Sequence, residues 1–183
     1  MSLLGAFVLG FVTLITLVAT GTLKLYAIPT SAMEPTLRCA RPFPSCTADA
    51  NDRVVALTRL VSYGRGDIVV FRASDEMAQQ CGVPGTYVKR IVGLAGETVE
   101  IRRIEGASYV FVDGERLAEP YIPDDHRDFP PEQEVRVPPD SFFVLGDHRQ
   151  LSCDSRVYGP IPESDVRGKL VATYWPLDRI TIR

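Results

Sequence analysis

Apolar residues are unevenly distributed along the chain, and the first run of them is the longest. Residues from about Leu3 to Tyr26 contain a single charged side chain, Lys24. At a rise of about 1.5 Å per residue, a helix of this length crosses a hydrocarbon core of ~30 Å. A cleaved leader usually has a basic start, a shorter apolar run and a small-x-small exit, which this segment lacks. The pattern therefore predicts one transmembrane helix, an uncleaved anchor over residues 1–26.

Beyond the anchor, short apolar runs alternate with turn residues. The runs are rich in Val, Ile, Phe and Tyr, which is typical of β-strands. Strands are predicted at Arg53–Leu57, Asp67–Phe71, Thr86–Val92, Glu97–Ile101, Tyr109–Val112, Phe142–Leu145, Val166–Trp175 and Ile180–Ile182. Because no internal repeat or long amphipathic helix accompanies them, residues 27–183 are predicted to form a mainly β domain of antiparallel sheet.

One segment of this domain, at about 103–139, has a different composition. Its longest part, Leu117 to Pro139, is rich in Pro, Asp and Glu and holds few apolar residues. A segment of this kind has little apolar surface to bury. We therefore expect an exposed excursion here and not a part of the core.

Composition narrows the possible functions. A length of 183 residues suits one domain with a small appendage. The formal net charge of −3 gives no sign of the basic surface that binds nucleic acid, so no nucleic-acid partner is expected. Two histidines and the absence of a C-x-x-C pair argue against a zinc site, and no metal or other cofactor is expected. In a domain outside the cytoplasm, the four cysteines would form two disulfides, with three possible connectivities.

Three segments carry the candidate chemistry. The first, Ile28–Leu37, follows the anchor directly, and its two prolines prevent a continuing helix. The second, Tyr87–Gly93, places Lys89 inside an apolar strand, and the third, Gly146–Arg156, is a polar return loop. A small hydroxyl residue, a lysine in an apolar strand and a polar loop are the parts of a Ser/Lys hydrolase.

Taken in order, four segments resemble the bacterial type I signal peptidases, a family of membrane-anchored Ser/Lys peptidases. These segments are Pro29–Leu37, Gly66–Phe71, Tyr87–Gly93 and Gly146–Gly159. The last is the most specific, because it resembles the family's box Gly-Asp-Asn-Arg-x-x-Ser-x-Asp-Ser-Arg, with His148 in place of Asn. Together with the anchor, the resemblance extends over nearly the whole chain.

The resemblance implies that Lys89 is the general base. A lysine accepts a proton near neutral pH only if its pKa is lowered, and apolar burial has this effect. In an extended strand Tyr87, Lys89 and Ile91 share one face, which gives the amine apolar neighbours. Considered without the other segments, Lys89 also fits a lysine at a strand edge that discourages aggregation.

The Gly146 box implies supporting roles for five further residues. Ser152 matches the serine that hydrogen-bonds the lysine amine in the family. Asp154 and Arg156 match an ion pair that holds the loop, and Asp147 and Arg149 are expected to brace the turn. A Ser-His-Asp triad through His148 is disfavoured, because adjacent residues on a tight loop rarely converge on a distant serine.

The segment after the anchor departs from the family at its central position. The family has Pro-Ser-x-Ser-Met-x-Pro-Thr, with the second Ser as nucleophile. Aligned on Met33, the nucleophile position holds Ala32, and Thr30 falls on the residue whose hydroxyl helps to bind the oxyanion. Ser31 lies between them, and a shift of one residue in an extended segment points a side chain to the opposite face.

From the sequence alone, three interpretations of Ala32 stay open. Ser31 reaches Lys89 through a local bulge and acts as the catalytic serine. Alternatively, the protein is an inactive relative that still binds signal peptides. In the third interpretation, alanine stands where the natural protein has a serine.

The resemblance implies a membrane-bound serine endopeptidase that removes signal peptides from exported proteins. Its partners would be signal peptides and the lipid membrane. It would span the cell membrane once, with the catalytic domain on the extracytoplasmic side. The alternatives are an inactive relative that binds signal peptides and a maturation peptidase of narrow specificity. A self-cleaving repressor peptidase is disfavoured by the anchor and by the absence of a DNA-binding segment.

The resemblance also favours one disulfide pairing, Cys39–Cys46 with Cys81–Cys153. Cys39 and Cys46 are close in sequence. Cys153 adjoins the serine that touches the lysine in the family, and Cys81 shortly precedes the lysine's strand. A bridge between them would hold these two segments together.

Overall fold

The structure is a computed structural model that describes residues 12–13, 16–42, 45–128 and 131–183. Most of its regular structure is β. The strands are β1 (Leu23–Ala27), β2 (Arg53–Leu57), β3 (Ile68–Arg72), β4 (Thr86–Gly93), β5 (Thr98–Ile104), β6 (Ala107–Val112), β7 (Glu115–Arg116), β8 (Gln133–Arg136), β9 (Ser141–Leu145), β10 (Ile161–Pro162), β11 (Val166–Trp175) and β12 (Thr181–Ile182). Short helices lie at Asp75–Cys81 and Ser155–Tyr158.

Within the described residues the strands form a larger and a smaller sheet. The larger sheet has the order β1-β2-β11-β3-β4-β9-β10, with β12 paired to β11, and the smaller has the order β7-β6-β5-β8. Every one of these strand pairs is antiparallel. The prediction of a mainly β fold built from antiparallel sheets is therefore confirmed, and the predicted bounds of β2 and β11 are those observed.

The two faces of the larger sheet bury different apolar clusters. Because side chains alternate along a strand, β4 sends Ile91 to one face and Val92 to the other. Ile91 packs in the cluster of Val69, Phe71, Ala73, Met77, Phe142, Val144 and Ile161. Val92 packs with Phe143 and Leu145 against the smaller sheet, in the cluster of Val99, Ile101, Val110, Val112 and Val137.

A third cluster attaches the segment after β1 to the sheet. Ile28, Met33 and Leu37 are almost fully buried. They pack against side chains of β2, β3 and β11, namely Val54, Ile68 and Leu170. This apolar contact fixes the position of the Ile28–Leu37 segment relative to β4.

The predicted anchor corresponds only in part to what the structure describes. Residues 1–11 and 14–15 lie outside the described residues, and residues 16–19 are helical. The predicted end of the anchor needs correction, since Leu23–Ala27 is strand β1, whose ladder with β2 pairs Leu23 with Leu57 and Ala27 with Arg53. No helix in the described ranges is long and apolar enough to cross a membrane.

The prediction of an exposed excursion at about 103–139 was wrong for much of that segment. Strand β6 and Val137 contribute to the second apolar cluster, and Ile122 is also buried. Two charged residues there, Glu119 and Arg127, are buried because their side chains form an ion pair, with 3.4 Å between Arg127 Nη1 and Glu119 Oε2. The segment therefore buries some of its charged side chains by joining them in ion pairs.

Both predicted disulfides are confirmed. Cys39 bonds to Cys46, and Cys81 bonds to Cys153, with Cα atoms 5.1 and 5.8 Å apart. Cys81 is the last residue of the helix Asp75–Cys81. Ser74 caps this helix by accepting a hydrogen bond from the Met77 N–H.

Candidate active site

The first side of the site is a single 3₁₀ turn at Ser31–Met33. Met33 is held in the apolar cluster, and the Glu34 carboxylate behind it accepts hydrogen bonds from the N–H groups of Cys39 and Thr47. The Thr47 hydroxyl also donates to Glu34, at 3.0 Å. The buried Glu34 side chain thereby ties the turn to the loop that the Cys39–Cys46 disulfide closes.

Ala32 and Ser31 face different surroundings. Ala32 lines a cleft that it shares with Lys89, whereas Ser31 is not among the residues that line it. The Ser31 hydroxyl lies 2.7 Å from the hydroxyl of Ser45, on the disulfide-closed loop. The structure therefore does not bring the predicted catalytic hydroxyl of Ser31 into the cleft with Lys89. Thr30, the predicted oxyanion residue, is exposed and lines the cleft.

Lys89 lies in the middle of β4, opposite Val69 of β3. The residue is only 6% exposed. Burial lowers the pKa of Lys89 to about 8, although the nearby carboxylate of Asp154 acts in the opposite direction. A lysine with this pKa is neutral in an appreciable fraction of molecules near pH 7 to 8, so its amine is able to accept a proton.

The Gly146 loop approaches the turn so closely that residue 146 must lack a side chain. The His148 N–H donates to the Ala32 carbonyl oxygen at 3.1 Å. A Cβ atom at Gly146 would lie 2.5 Å from that same oxygen and 2.2 Å from the Ser152 Oγ. Glycine at this position therefore allows the loop to hold the backbone of residue 32.

Asp154 and Arg156 form the ion pair that the Gly146 box predicted, with Nε 2.8 Å from Oδ1. Asp154 is fully buried and also accepts the Gly146 N–H at 3.0 Å. Burial alone would raise the pKa of Asp154, but Arg156 and the Gly146 N–H outweigh it, and the pKa lies below its usual value. The guanidinium also donates to the Arg149 carbonyl at 2.8 Å, so it fixes both ends of the loop.

Asp147 and Arg149 brace the loop through partners outside it. Asp147 accepts two hydrogen bonds from Arg90, at 2.9 and 2.5 Å. Arg149 donates to the Gly146 carbonyl at 2.9 Å and pairs with the buried carboxylate of Glu119. The sequence did not predict Arg90 and Glu119 as the partners of Asp147 and Arg149. The one indication it contained is that Arg90 follows Lys89 and therefore faces the opposite side of β4.

Ser152 lies in the expected place but without the expected bond. Its hydroxyl is buried and has no hydrogen-bond partner among the described residues, so the predicted bond to the Lys89 amine is not formed. The hydroxyl instead packs against the backbone of Gly146.

The cleft between the turn and β4 has a volume of about 210 Å³. Its lining is mainly apolar, and the Cys81–Cys153 disulfide forms part of the wall. The lining residues are Ile28, Pro29, Thr30, Ala32, Met33, Cys81, Val83, Thr86, Tyr87, Val88, Lys89, Leu151 and Cys153. A small, mainly apolar cleft that contains a proton-accepting amine suits an extended peptide with small side chains.

The chain is similar to known proteins over most of its length. A model of the family described as "Signal peptidase, peptidase S26" matches residues 2–175. A signal peptidase I of Leptolyngbya laminosa is 35% identical over 161 residues, which cover 84% of this chain and 69% of that protein. Signal peptidase I P of Bacillus subtilis subsp. natto is 31% identical over 183 residues, covering 91% and 85%. A crystal structure of a signal peptidase I from Enterococcus faecalis V583 is 27% identical, covers 61% of this chain and 98% of that one, and has a TM-score of 0.47.

Proposed function

This chain belongs to the signal peptidase family, peptidase S26, and on that premise we propose that the cleft beside Lys89 is its peptidase site. Its function is that of a signal peptidase, which removes signal peptides from exported proteins. The observation that carries the proposal for the site is the shared cleft of Ala32 and Lys89. A buried lysine with a lowered pKa that borders a cleft is a candidate for a functional residue.

In the proposed mechanism Lys89 is the general base and residue 32 is the position of the nucleophile. A hydroxyl at residue 32 would attack the carbonyl carbon of the scissile peptide bond while the neutral Lys89 amine takes its proton. The protonated amine would then return that proton to the leaving nitrogen. Exposed at the rim of the cleft, Thr30 is the proposed donor to the developing oxyanion.

With alanine at residue 32, this chain has no oxygen at the nucleophile position. Ser31 is a poor substitute, because its hydroxyl is 2.7 Å from Ser45 and outside the lining of the cleft. This chain therefore retains the cleft that would bind the peptide, whereas covalent catalysis needs a hydroxyl at residue 32.

The proposed substrate is the extended end of a signal peptide, and the proposed location is the outer side of the cell membrane. The cleft is small and mainly apolar, which favours small side chains beside the cut. Its lining begins at Ile28, one residue after β1 and shortly after the helical residues 16–19. Two disulfides in the domain support an oxidising, extracytoplasmic compartment.

Binding of a labelled synthetic signal peptide, measured by fluorescence anisotropy, tests the location of the site without requiring cleavage. Thr86 is exposed and lines the cleft, so a Thr86→Trp side chain would occupy the peptide's place. We expect Kd to rise at least about tenfold, a loss of about 1.4 kcal/mol. The matched control is Glu115→Trp, on the exposed strand β7 of the smaller sheet. Unchanged binding by Thr86→Trp, or an equal loss in the control, would refute the assignment.

A further inference from the structure

The two histidines of the chain are stacked on each other. The ring centroids of His126 and His148 are 3.9 Å apart, and the ring planes differ by 5°. His126 comes from the 3₁₀ turn Asp124–His126, and His148 comes from the Gly146 loop. Two segments that are distant in sequence are thus joined by a contact between two titratable rings.

Both histidines are also tied to the turn that carries residue 32. His126 Nδ1 lies 3.1 Å from the Glu34 carbonyl oxygen, directly after the turn. The backbone N–H of His148 donates to the Ala32 carbonyl oxygen at 3.1 Å. The stacked pair is therefore attached to the turn at Ala32 and at Glu34, the residue that follows the turn.

A side chain of the Gly146 loop reinforces the same contact. Gln150 Nε2 donates to the carbonyl oxygens of Asp125 and Arg127, at 2.8 and 2.7 Å. These two residues flank His126, so the loop fixes the backbone on either side of that ring. The ring stack is consequently a built contact between ordered segments and not a chance meeting of two exposed side chains.

We infer that His126 and His148 are positioning residues for the peptidase site, and that their stack holds the Ser31–Met33 turn only while at least one ring is neutral. The inference rests on the proposed function for its catalytic consequence, but the stack and its titration do not depend on it. Two imidazolium rings at this separation repel each other. Acidification would therefore separate the rings and release the turn that presents residue 32 to Lys89.

Several charged groups face the pair, and they act in both directions. Burial and the proximity of His126 lower the pKa of His148, while the carboxylates of Glu34 and Asp125 act to raise it. Asp124 is exposed and pairs with Arg127, at 3.6 Å, and Arg149 is directed to Glu119. The carboxylates thus act against the effect of burial on His148, and a charge on the neighbouring ring disfavours a charge on His148.

The direction of the pH effect follows from the lowered pKa. A folded-state pKa below the unfolded one means that the fold favours the neutral ring of His148. The contribution of the stack is thus present above the ordinary histidine pKa of about 6.5 and is lost as the pH falls through the lowered value. Lys89 becomes protonated as the pH falls through about 8, above the range in which the stack is lost, so the two effects are separable.

An NMR titration tests the inference directly, because the chain has only two imidazole signals to follow. In the natural chain we expect two distinct titration steps that belong to the pair. The amide signals of Ala32 and Met33 should shift with the lower step. His148→Asn keeps the backbone N–H but removes one titrating ring, so the lower step and its effect on these amides should disappear. His126→Gln should abolish the same step and covers the case in which the first variant fails to fold.

Two independent, single-step titrations in the natural chain, or amides of the turn that ignore the lower step, would overturn the inference. The catalytic consequence is read in chains that also carry Ala32→Ser. With Lys89 alone, the rate falls by about tenfold per pH unit on the acid side. Loss of the stack should make the rate fall more steeply with pH below the lower titration step. His148→Asn should restore the fall of about tenfold per pH unit. An inactive Ala32→Ser chain would count against the proposed function, and the NMR titration would still decide the inference.

Discussion

Lys89 combines nearly complete burial with an amine that borders an open cleft. A surface lysine remains charged and is a poor base at neutral pH, whereas a lysine buried without a direct ion pair loses part of its preference for the charged form. The carboxylate of Asp154 acts to raise the pKa of Lys89, but it is paired with Arg156 and so offsets the effect of burial only in part. This division of charges leaves the amine with a pKa of about 8.

The first prediction concerns the pH dependence of cleavage by a chain with Ala32→Ser. Because Lys89 must be neutral to accept a proton, the rate should rise with pH, with a midpoint near 8, and level off above it. Adding Lys89→Arg should lower the rate by about 10²–10⁴-fold at every pH, since arginine stays protonated. Initial rates on one peptide substrate from pH 5 to about 10 check both outcomes. A flat profile, or an arginine variant as fast as its parent, would exclude Lys89 as the base.

At the scale of elements, the site depends on the close approach of the Gly146 loop to the Ser31–Met33 turn. The contact uses a backbone hydrogen bond from His148 to the Ala32 carbonyl and leaves no room for a side chain at residue 146. The loop itself is held by two buried ion pairs, from Asp147 to Arg90 on β4 and from Arg149 to Glu119. Strand and loop are thus assembled around the turn as one unit.

The second prediction follows from this approach. Gly146→Ala places a Cβ atom 2.2 Å from Ser152 Oγ and 2.5 Å from the Ala32 carbonyl oxygen, so the loop must move. We expect a loss of about 1–3 kcal/mol in the free energy of unfolding and weaker peptide binding. Gly64→Ala is the matched control, because a Cβ there meets only Asp67 Oδ2 at 3.8 Å. Urea unfolding and anisotropy check both variants, and equal effects would contradict the account.

The third prediction concerns the disulfide in the wall of the cleft. Cys81→Ala with Cys153→Ala removes a bridge between residues 72 positions apart, which should cost about 2–5 kcal/mol of stability. Peptide affinity should also fall, because the helix end and the residue after Ser152 are no longer fixed to each other. Val157→Ala, at an exposed position on the neighbouring helix, should change neither quantity. Peptide affinity equal to that of the natural chain would show that the bridge does not shape the cleft.

At the scale of the whole molecule, the sequence pattern predicted strands with one buried face, such as β2, β5 and β6, and strands buried on both faces, such as β3 and β9. It failed where charge is buried in pairs, as for Glu119, whose partners Arg127 and Arg149 lie elsewhere in the chain. No local pattern reveals such a pairing, because each member taken separately resembles a surface residue. The end of the apolar run was also misassigned, since the pairing of β1 with β2 is a tertiary contact.

The candidate site was predictable to the extent that its residues lie in contiguous motifs. The Gly146 box gave the Asp154–Arg156 pair, and strand alternation gave the face of Lys89. The hydroxyl contact of Ser31 with Ser45 was not predictable, because it depends on how the disulfide-closed loop folds back. That contact supports the assignment of the nucleophile position to residue 32 over residue 31.

The measurement that tests the central claim most directly is the cleavage rate of one signal-peptide substrate by the natural chain, Ala32→Ser and Ser31→Ala. Ala32→Ser adds a single oxygen at a residue that lines the cleft with Lys89. Since a missing nucleophile leaves only a small residual rate, the rate should rise by about 10²-fold or more, and Ser31→Ala should leave the natural rate unchanged. A fully active natural chain that loses its activity on Ser31→Ala would contradict the account and make Ser31 the nucleophile.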